Sequence, residues 1–120
     1  MELLKINLDD DIVKITVGEE LSEDHSDIQG NVELDIENQA QFIDLLASLI
    51  EEGRNRLIID MTLINYIDSS GLWALFEGHK KATQNNGKLV LLNPTKDVKR
   101  VLDITKMSTK INTFFVINLV

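Results

Sequence analysis

Three short apolar runs limit what this chain can fold into: RLIID at 56–60, KLVLLN at 88–93 and INTFFVINLV at 111–120. Each is the length of a strand, and a continuous apolar run is the mark of a buried strand in a parallel sheet. Helical patterns separate them. Residues 69–84 follow the first run, and Val98, Val101 and Leu102 share one face of a segment that Pro94 and Thr95 open. Ahead of the first run, Phe42, Leu45, Leu46, Leu49 and Ile50 fall at i, i+3, i+4, i+7 and i+8, which predicts a helix over 34–53. Asp35 is its expected N-cap, Glu37 suits the positive end of its dipole, and Gly53 suits its C-terminal stop.

The first residues read differently. LLKINL at 3–8 and IVKITV at 12–17 flank Asp9, Asp10 and Asp11, which predicts a β-hairpin. Residues 18–33 hold Glu19, Glu20, Glu23, Asp24 and Asp27 between glycines and read as an exposed acidic loop, with NVEL ending it as a short strand. Residues 62–67 read as a connection that still carries Leu63, Ile64, Tyr66 and Ile67. Asn85, Asn86 and Gly87 signal a turn. The order is a hairpin followed by three helix–strand pairs. It predicts an α/β fold with a mixed, largely parallel sheet and right-handed crossovers, and the 120 residues suit one domain, 1–120.

Composition excludes several functions. The formal net charge is −8, the opposite of the basic footprint that nucleic acid requires. An anionic membrane surface would repel the chain. A partner with a basic face is the natural expectation. There is no cysteine, hence no thiol nucleophile and no disulfide framework. MELLKINLDDD has neither a basic start nor a long apolar stretch, and no run nears the roughly 18 apolar residues of a membrane span. The chain is expected to work in the cytoplasm, without membrane insertion.

The chemistry concentrates at Asp68-Ser69-Ser70-Gly71. A turn between a parallel strand and the next helix lies at the carboxyl end of the sheet, where α/β proteins commonly bind ligands. Asp68 is placed to cap the helix by accepting from the N–H of Ser70 or Gly71. Ser69 and Ser70 then occupy the first turn, where the dipole favours negative charge, and a phosphate of about −1.5 to −2 is tolerated there. On this pattern alone, ordinary capping chemistry is the better reading.

Other chemistry lacks its parts. A serine nucleophile needs a base, and the histidines are His25, in the acidic loop, and His79, about two and a half turns beyond Ser70. The setting is not a G-x-S-x-G elbow. His25 with Asp24 and Asp27 does not have metal-ligand spacing, and no phosphate-binding glycine motif is present. Catalytic residues, metal ligands and cofactors are therefore not expected, and a serine hydrolase using Ser70 is the weakest of the functions considered.

Four segments in order resemble the STAS domain of bacterial anti-sigma factor antagonists: ELDIEN at 33–38, LIIDMTLINYIDSSGL at 57–72, NGKLVLLNP at 86–94 and VKRVLDITKM at 98–107. The resemblance implies a non-enzymatic partner switch. The second serine of the pair, here Ser70, would be phosphorylated by a serine protein kinase that is itself the anti-sigma factor, with Ser69 as the alternative. The unmodified form would bind that kinase and free a sigma factor; the phosphorylated form would not bind, and a phosphatase would reset it. Asp68, Ser69, Ser70, Gly71 and Trp73 form the expected partner surface. Trp73 stands where the family often has a small residue. It either faces out beside the serines, with Glu77, Lys80 and Gln84, or packs under the connecting loop. The acidic loop, 18–33, is longer than usual. The alternative implied by the resemblance is an accessory STAS module of a stress-signalling complex or of a transporter.

Overall fold

The computed structural model describes residues 2–8, 12–18, 20–21, 28–29, 32–34 and 38–116. Strand β1 (Glu2–Asn7) pairs antiparallel with β2 (Ile12–Gly18), from Glu2 opposite Gly18 to Asn7 opposite Val13. The predicted hairpin is therefore present, and its aspartates at 9–11 lie outside the described residues. The region read as an acidic loop holds a two-residue antiparallel ladder between β3 (Glu20–Leu21) and β4 (Ile28–Gln29), and then β5 (Val32–Leu34). Residues 19, 22–27, 30 and 31 of that region, His25 among them, lie outside the described residues.

Helix α1 spans Gln39–Glu51. It begins later than its pattern predicts. Asn38 holds the N-cap position without a capping side-chain bond, and its amide nitrogen instead donates to the Glu33 carbonyl. The expected cap, Asp35, and Glu37 lie outside the described residues. The C-terminus ends as expected. Gly53 has φ +86°, its N–H donates to the Ile50 carbonyl at 3.0 Å, and the Arg54 N–H donates to Leu49 at 2.9 Å. This pair of bonds is a Schellman stop, which requires a left-handed residue after the last turn.

The strands β6 (Arg56–Asp60), β8 (Lys88–Leu92) and β9 (Thr113–Phe114) complete a five-stranded sheet in the order β1-β2-β6-β8-β9, with every pair after the hairpin parallel. Between them lie α2 (Ser69–Gln84) and α3 (Lys96–Ile104). Among its described residues the last apolar run pairs over two only, Thr113 and Phe114; a 3-10 turn, Met107–Thr109, precedes it, and residues 117–120 lie outside the described residues. Hydrogen bonds from Lys99 and Ser108 to Asp103 tie that turn to α3 and hold the Asp103 carboxyl below its usual range.

Every crossover steps the same way across the sheet. Right-handed connections then place α1, α2 and α3 on one face. The strand side chains on that face, Val13, Ile15, Leu57, Ile59, Leu89 and Leu91, are fully buried, and they meet Phe42, Leu46, Leu75 and Leu102 from the helices. The alternate residues Ile12, Ile58 and Val90 are only half-buried. The continuous apolar runs thus do not mean burial on both faces. No helix among the described residues is long and apolar enough to cross a membrane.

The Gly53 stop is open to test. Nothing lies within 4 Å of a Cβ added there, so the change probes backbone conformation alone. Gly53→Ala should lower the unfolding free energy by about 1 kcal/mol, the typical penalty for an L-residue in the left-handed region, read from urea denaturation with an unchanged slope.

Candidate functional site

The site is assembled by a second, smaller sheet that the sequence does not announce. Residues 64–67 are not merely a connection: Ile64–Ile67 form β7, parallel to β5, with Val32 opposite Ile64, Glu33 opposite Tyr66 and Leu34 opposite Ile67. The register shifts between Val32 and Glu33. Asp60, the last residue of β6, folds the chain into β7 by accepting from the Thr62 N–H at 3.0 Å and the Thr62 hydroxyl at 2.6 Å. Thr95, at the N-cap position of α3, sends its hydroxyl to the Ile64 carbonyl at 3.0 Å. The start of β7 is thus held by α3 and its end by β5.

That end delivers Asp68. Its N–H donates to the Leu34 carbonyl at 3.3 Å, and its backbone is extended at φ −103° and ψ −174°. Its carboxylate oxygen Oδ1 accepts from the Gly71 N–H at 2.9 Å, the predicted N-cap. Ser69 and Ser70 follow as the first two helical residues, so their own N–H groups are among the donors a helix leaves without an internal partner. Ser69 is exposed and Ser70 half-buried. Neither hydroxyl bonds to a protein group among the described residues.

Gly71 is buried, so it shapes the candidate surface from beneath and presents nothing on it. A Cβ there would lie 2.2 Å from the Leu34 carbonyl oxygen and 2.7 Å from Ile67 Cγ1. Only a glycine lets the first turn of α2 rest on β5. Trp73 is 52% exposed, which decides between the two sequence readings: it stands outside, on the face that carries Ser69 and Ser70, and does not pack under the loop. The same face continues through Glu77 and Lys80, whose carboxylate and ammonium lie 3.7 Å apart. The opposite face, Leu72, Ala74, Leu75, Gly78 and Ala82, is buried. Tyr66, equally exposed at 52%, was not singled out by sequence. Its signal is a large aromatic between two strand isoleucines, visible only once β7 is known to be a strand with a free side.

The parts for catalysis do not converge here. His79 lies nine residues past Ser70 on the same helix, roughly 13 Å along its axis. Its ring packs against Phe76, with centroids 6.3 Å apart. Among the described residues no group of three or more His, Cys, Asp or Glu is arranged to hold a metal ion. The site offers an accessible hydroxyl, a capped helix terminus, an exposed indole and a scaffold that does not need the hydroxyl for its own bonding.

The comparisons with known proteins agree with this geometry. A family model for the STAS domain matches residues 20–118. The anti-sigma-B factor antagonist of Staphylococcus epidermidis is 30% identical over 84 residues, which are 69% of this chain and 77% of that protein. Sulfate transporter 2.2 of Arabidopsis thaliana is 35% identical over 65 residues, 54% of this chain but 10% of the transporter. Among solved structures, the anti-sigma factor antagonist SpoIIAA in its unphosphorylated form superposes with a TM-score of 0.76 at 16% identity, over 98% of this chain and 90% of that one. The phosphorylated form of SpoIIAA, a Bacillus cell fate determinant, gives 0.69 at 16% identity, over 98% and 93%.

Two substitutions separate the roles of neighbouring residues. Asp68→Ala should cost about 1 kcal/mol, the usual value of an N-cap. Gly71→Ala should cost more, about 1–3 kcal/mol, because a backbone carbonyl stands in the way. Chemical denaturation of both variants checks the order; a neutral Gly71→Ala would mean that α2 can lift from β5 freely.

Proposed function

This chain belongs to the STAS domain family, and on that premise we propose that it is an anti-sigma factor antagonist. It works by binding, in the cytoplasm, and phosphorylation of Ser70 is its off-signal. The unmodified protein docks on an anti-sigma factor that is also a serine protein kinase, and a sigma factor is released. The kinase then transfers the terminal phosphoryl group of ATP to the Ser70 oxygen, the hydroxyl proton leaves, and ADP departs. A phosphatase restores the hydroxyl by hydrolysis. Asp68, Ser69, Ser70 and Trp73 present the docking surface, with Gly71 beneath it.

The observation that carries this reading is the state of the Ser70 hydroxyl: half-exposed, without a bond to any described residue, and two residues from a cap that already satisfies the Gly71 N–H. A phosphate there adds a charge of about −1.5 to −2 next to the positive end of the α2 dipole, which favours it locally. The fold then has no reason to change. The change is felt by the partner, through added bulk and through repulsion from any acidic group it brings against Asp68. The likeness of this chain to both forms of SpoIIAA supports a scaffold that stays put while the surface changes. Trp73 supplies an apolar anchor next to the switch, of the residue type most enriched among energetically dominant contacts.

A second reading is favoured by the match to the plant sulfate transporter, of which the matched segment is 10% of the length. There the chain would be an accessory module, and Ser70 need not be modified at all.

Titration calorimetry against the cognate anti-sigma kinase tests the proposal. Ser70→Ala should bind at least as tightly as the parent, and Ser70→Asp at least about tenfold more weakly, or about 1.4 kcal/mol. Equal affinities would remove the switch. Phosphopeptide mapping after incubation with the kinase and ATP should place the label on Ser70; label on Ser69 alone moves the site by one residue. Trp73→Ala should weaken binding by about 2 kcal/mol or more while leaving the unfolding midpoint nearly unchanged, because the indole is not part of the core.

A further inference from the structure

Helix α3 buries Val98 and Leu102, and its outer side is unlike the rest of a chain whose net charge is −8. Lys96, Arg100 and Ile104 stand at i, i+4 and i+8 and form one ridge, each step about 5–6 Å between Cβ atoms. All three are exposed, Ile104 at 71%, and Lys106 is exposed just past the helix. The neighbouring Lys99 is paired with Asp103. The side chains of Lys96, Arg100 and Lys106 make no ion pair or hydrogen bond with any described residue. Asp97, the other acid of the helix, lies in the first turn at the positive end of the dipole. Three features of the ridge work against local stability. Like charges one turn apart weaken a helix. Ile104 leaves its side chain in water. Lys106 holds a left-handed backbone, φ +65°, that glycine would hold without strain. Strain of that kind gathers at functional surfaces.

We propose that this ridge is a second docking surface, for an acidic helical segment of another protein. Its carboxylates meet Lys96 and Arg100, and an apolar side chain one turn further on covers Ile104. Charge complementarity selects that occupant, because the groups on the ridge that lack a partner are cations. Helices pack through ridges of side chains spaced by four, so a segment with acids at i and i+4 and an apolar residue at i+8 has the matching spacing. A second copy docked through the same ridge about a two-fold axis would set cation against cation. An anionic membrane would be repelled by the chain as a whole. Three cations are too few to hold nucleic acid against that net charge. Lys106 extends the cationic side beyond the helix, where it meets an acid at the end of the segment. The ridge belongs to α3 and the serine pair to α2. This inference does not depend on Ser70 being a phosphoacceptor.

The experiment is a titration of ¹⁵N-labelled full-length protein with an alanine-based peptide of about 16 residues that carries Glu, Glu and Leu at successive fourth positions, beside the same peptide with Lys for Glu. The acidic peptide should shift the amides of Lys96, Arg100, Ile104 and Lys106 and leave 69–73 in place. Raising salt from about 50 to about 500 mM should weaken it, a readout on the parent protein that no misfolded variant can confuse. Arg100→Glu, checked for fold by circular dichroism, should weaken it at least about tenfold. Lys5→Glu makes the same change in net charge at an exposed lysine of β1 and should leave the affinity within about twofold. Four results would overturn the proposal: no shifts at α3 up to about 1 mM peptide, equal shifts with the basic peptide, Lys5→Glu weakening binding as much as Arg100→Glu, or a concentration-dependent dimer in sedimentation that Arg100→Glu disperses, which would give the ridge to a second copy.

Discussion

The carbonyl of Leu34 is the point on which the candidate site turns. It accepts from the Asp68 N–H, and the first turn of α2 lies against it so closely that no side chain fits at Gly71. The contact joins elements that are far apart in sequence: β5 follows the acidic region, and α2 follows β7. Because a backbone carbonyl cannot swing aside as a side chain can, the amino end of α2 has one position relative to β5. The capping bond from Asp68 and the outward aim of Ser69, Ser70 and Trp73 all follow from that position.

This arrangement separates stability from signalling. The helix is held by buried Leu72, Ala74 and Leu75, by its cap and by the seat under Gly71. None of these requires a serine hydroxyl. A group whose modification leaves the fold alone is what a reversible switch needs, since a phosphate that unfolded its own carrier would act through loss of protein and could not be reversed cleanly. The dipole works in the same direction, favouring negative charge at the terminus where it would be added. Trp73 and the Glu77–Lys80 ion pair run along the same outer side of the helix.

Much of the fold was legible, element by element. Helix α2 was read at its observed bounds because Asp68 and the Asn85-Asn86-Gly87 turn punctuate it by local chemistry. Gly53 was legible as a stop because only glycine takes φ +86° without strain. The hairpin and the apolar runs at β6 and β8 carried enough β-branched residues to stand out. The misses share a cause. The start of α1 at Gln39, the strand at β7 and the two-residue extent of β9 are settled by partners distant in the chain, and a window of neighbouring residues has no access to them. Residues 62–67 look like a loop because β7 pairs with a short strand far earlier in the chain, with Val32 opposite Ile64 and Leu34 opposite Ile67. The exposure of Trp73 belongs to the same class: the helical wheel gave its face, and only packing decided what covered that face.

Sequence alone determined much of the local chemistry: the Asp68 cap, the Gly53 stop, the Asn-Asn-Gly turn, and that a carboxylate and two hydroxyls stand together at a helix entrance. These are properties of a few consecutive residues, and they hold wherever the segment is placed. Tertiary structure decided how far each element extends and what lies beside it. It set Leu34 under Gly71, freed Tyr66 and Trp73 to solvent, and left one face of the sheet without a helix. Those outcomes depend on pairings across tens of residues and on the common direction of the crossovers, and no short stretch of the chain contains either.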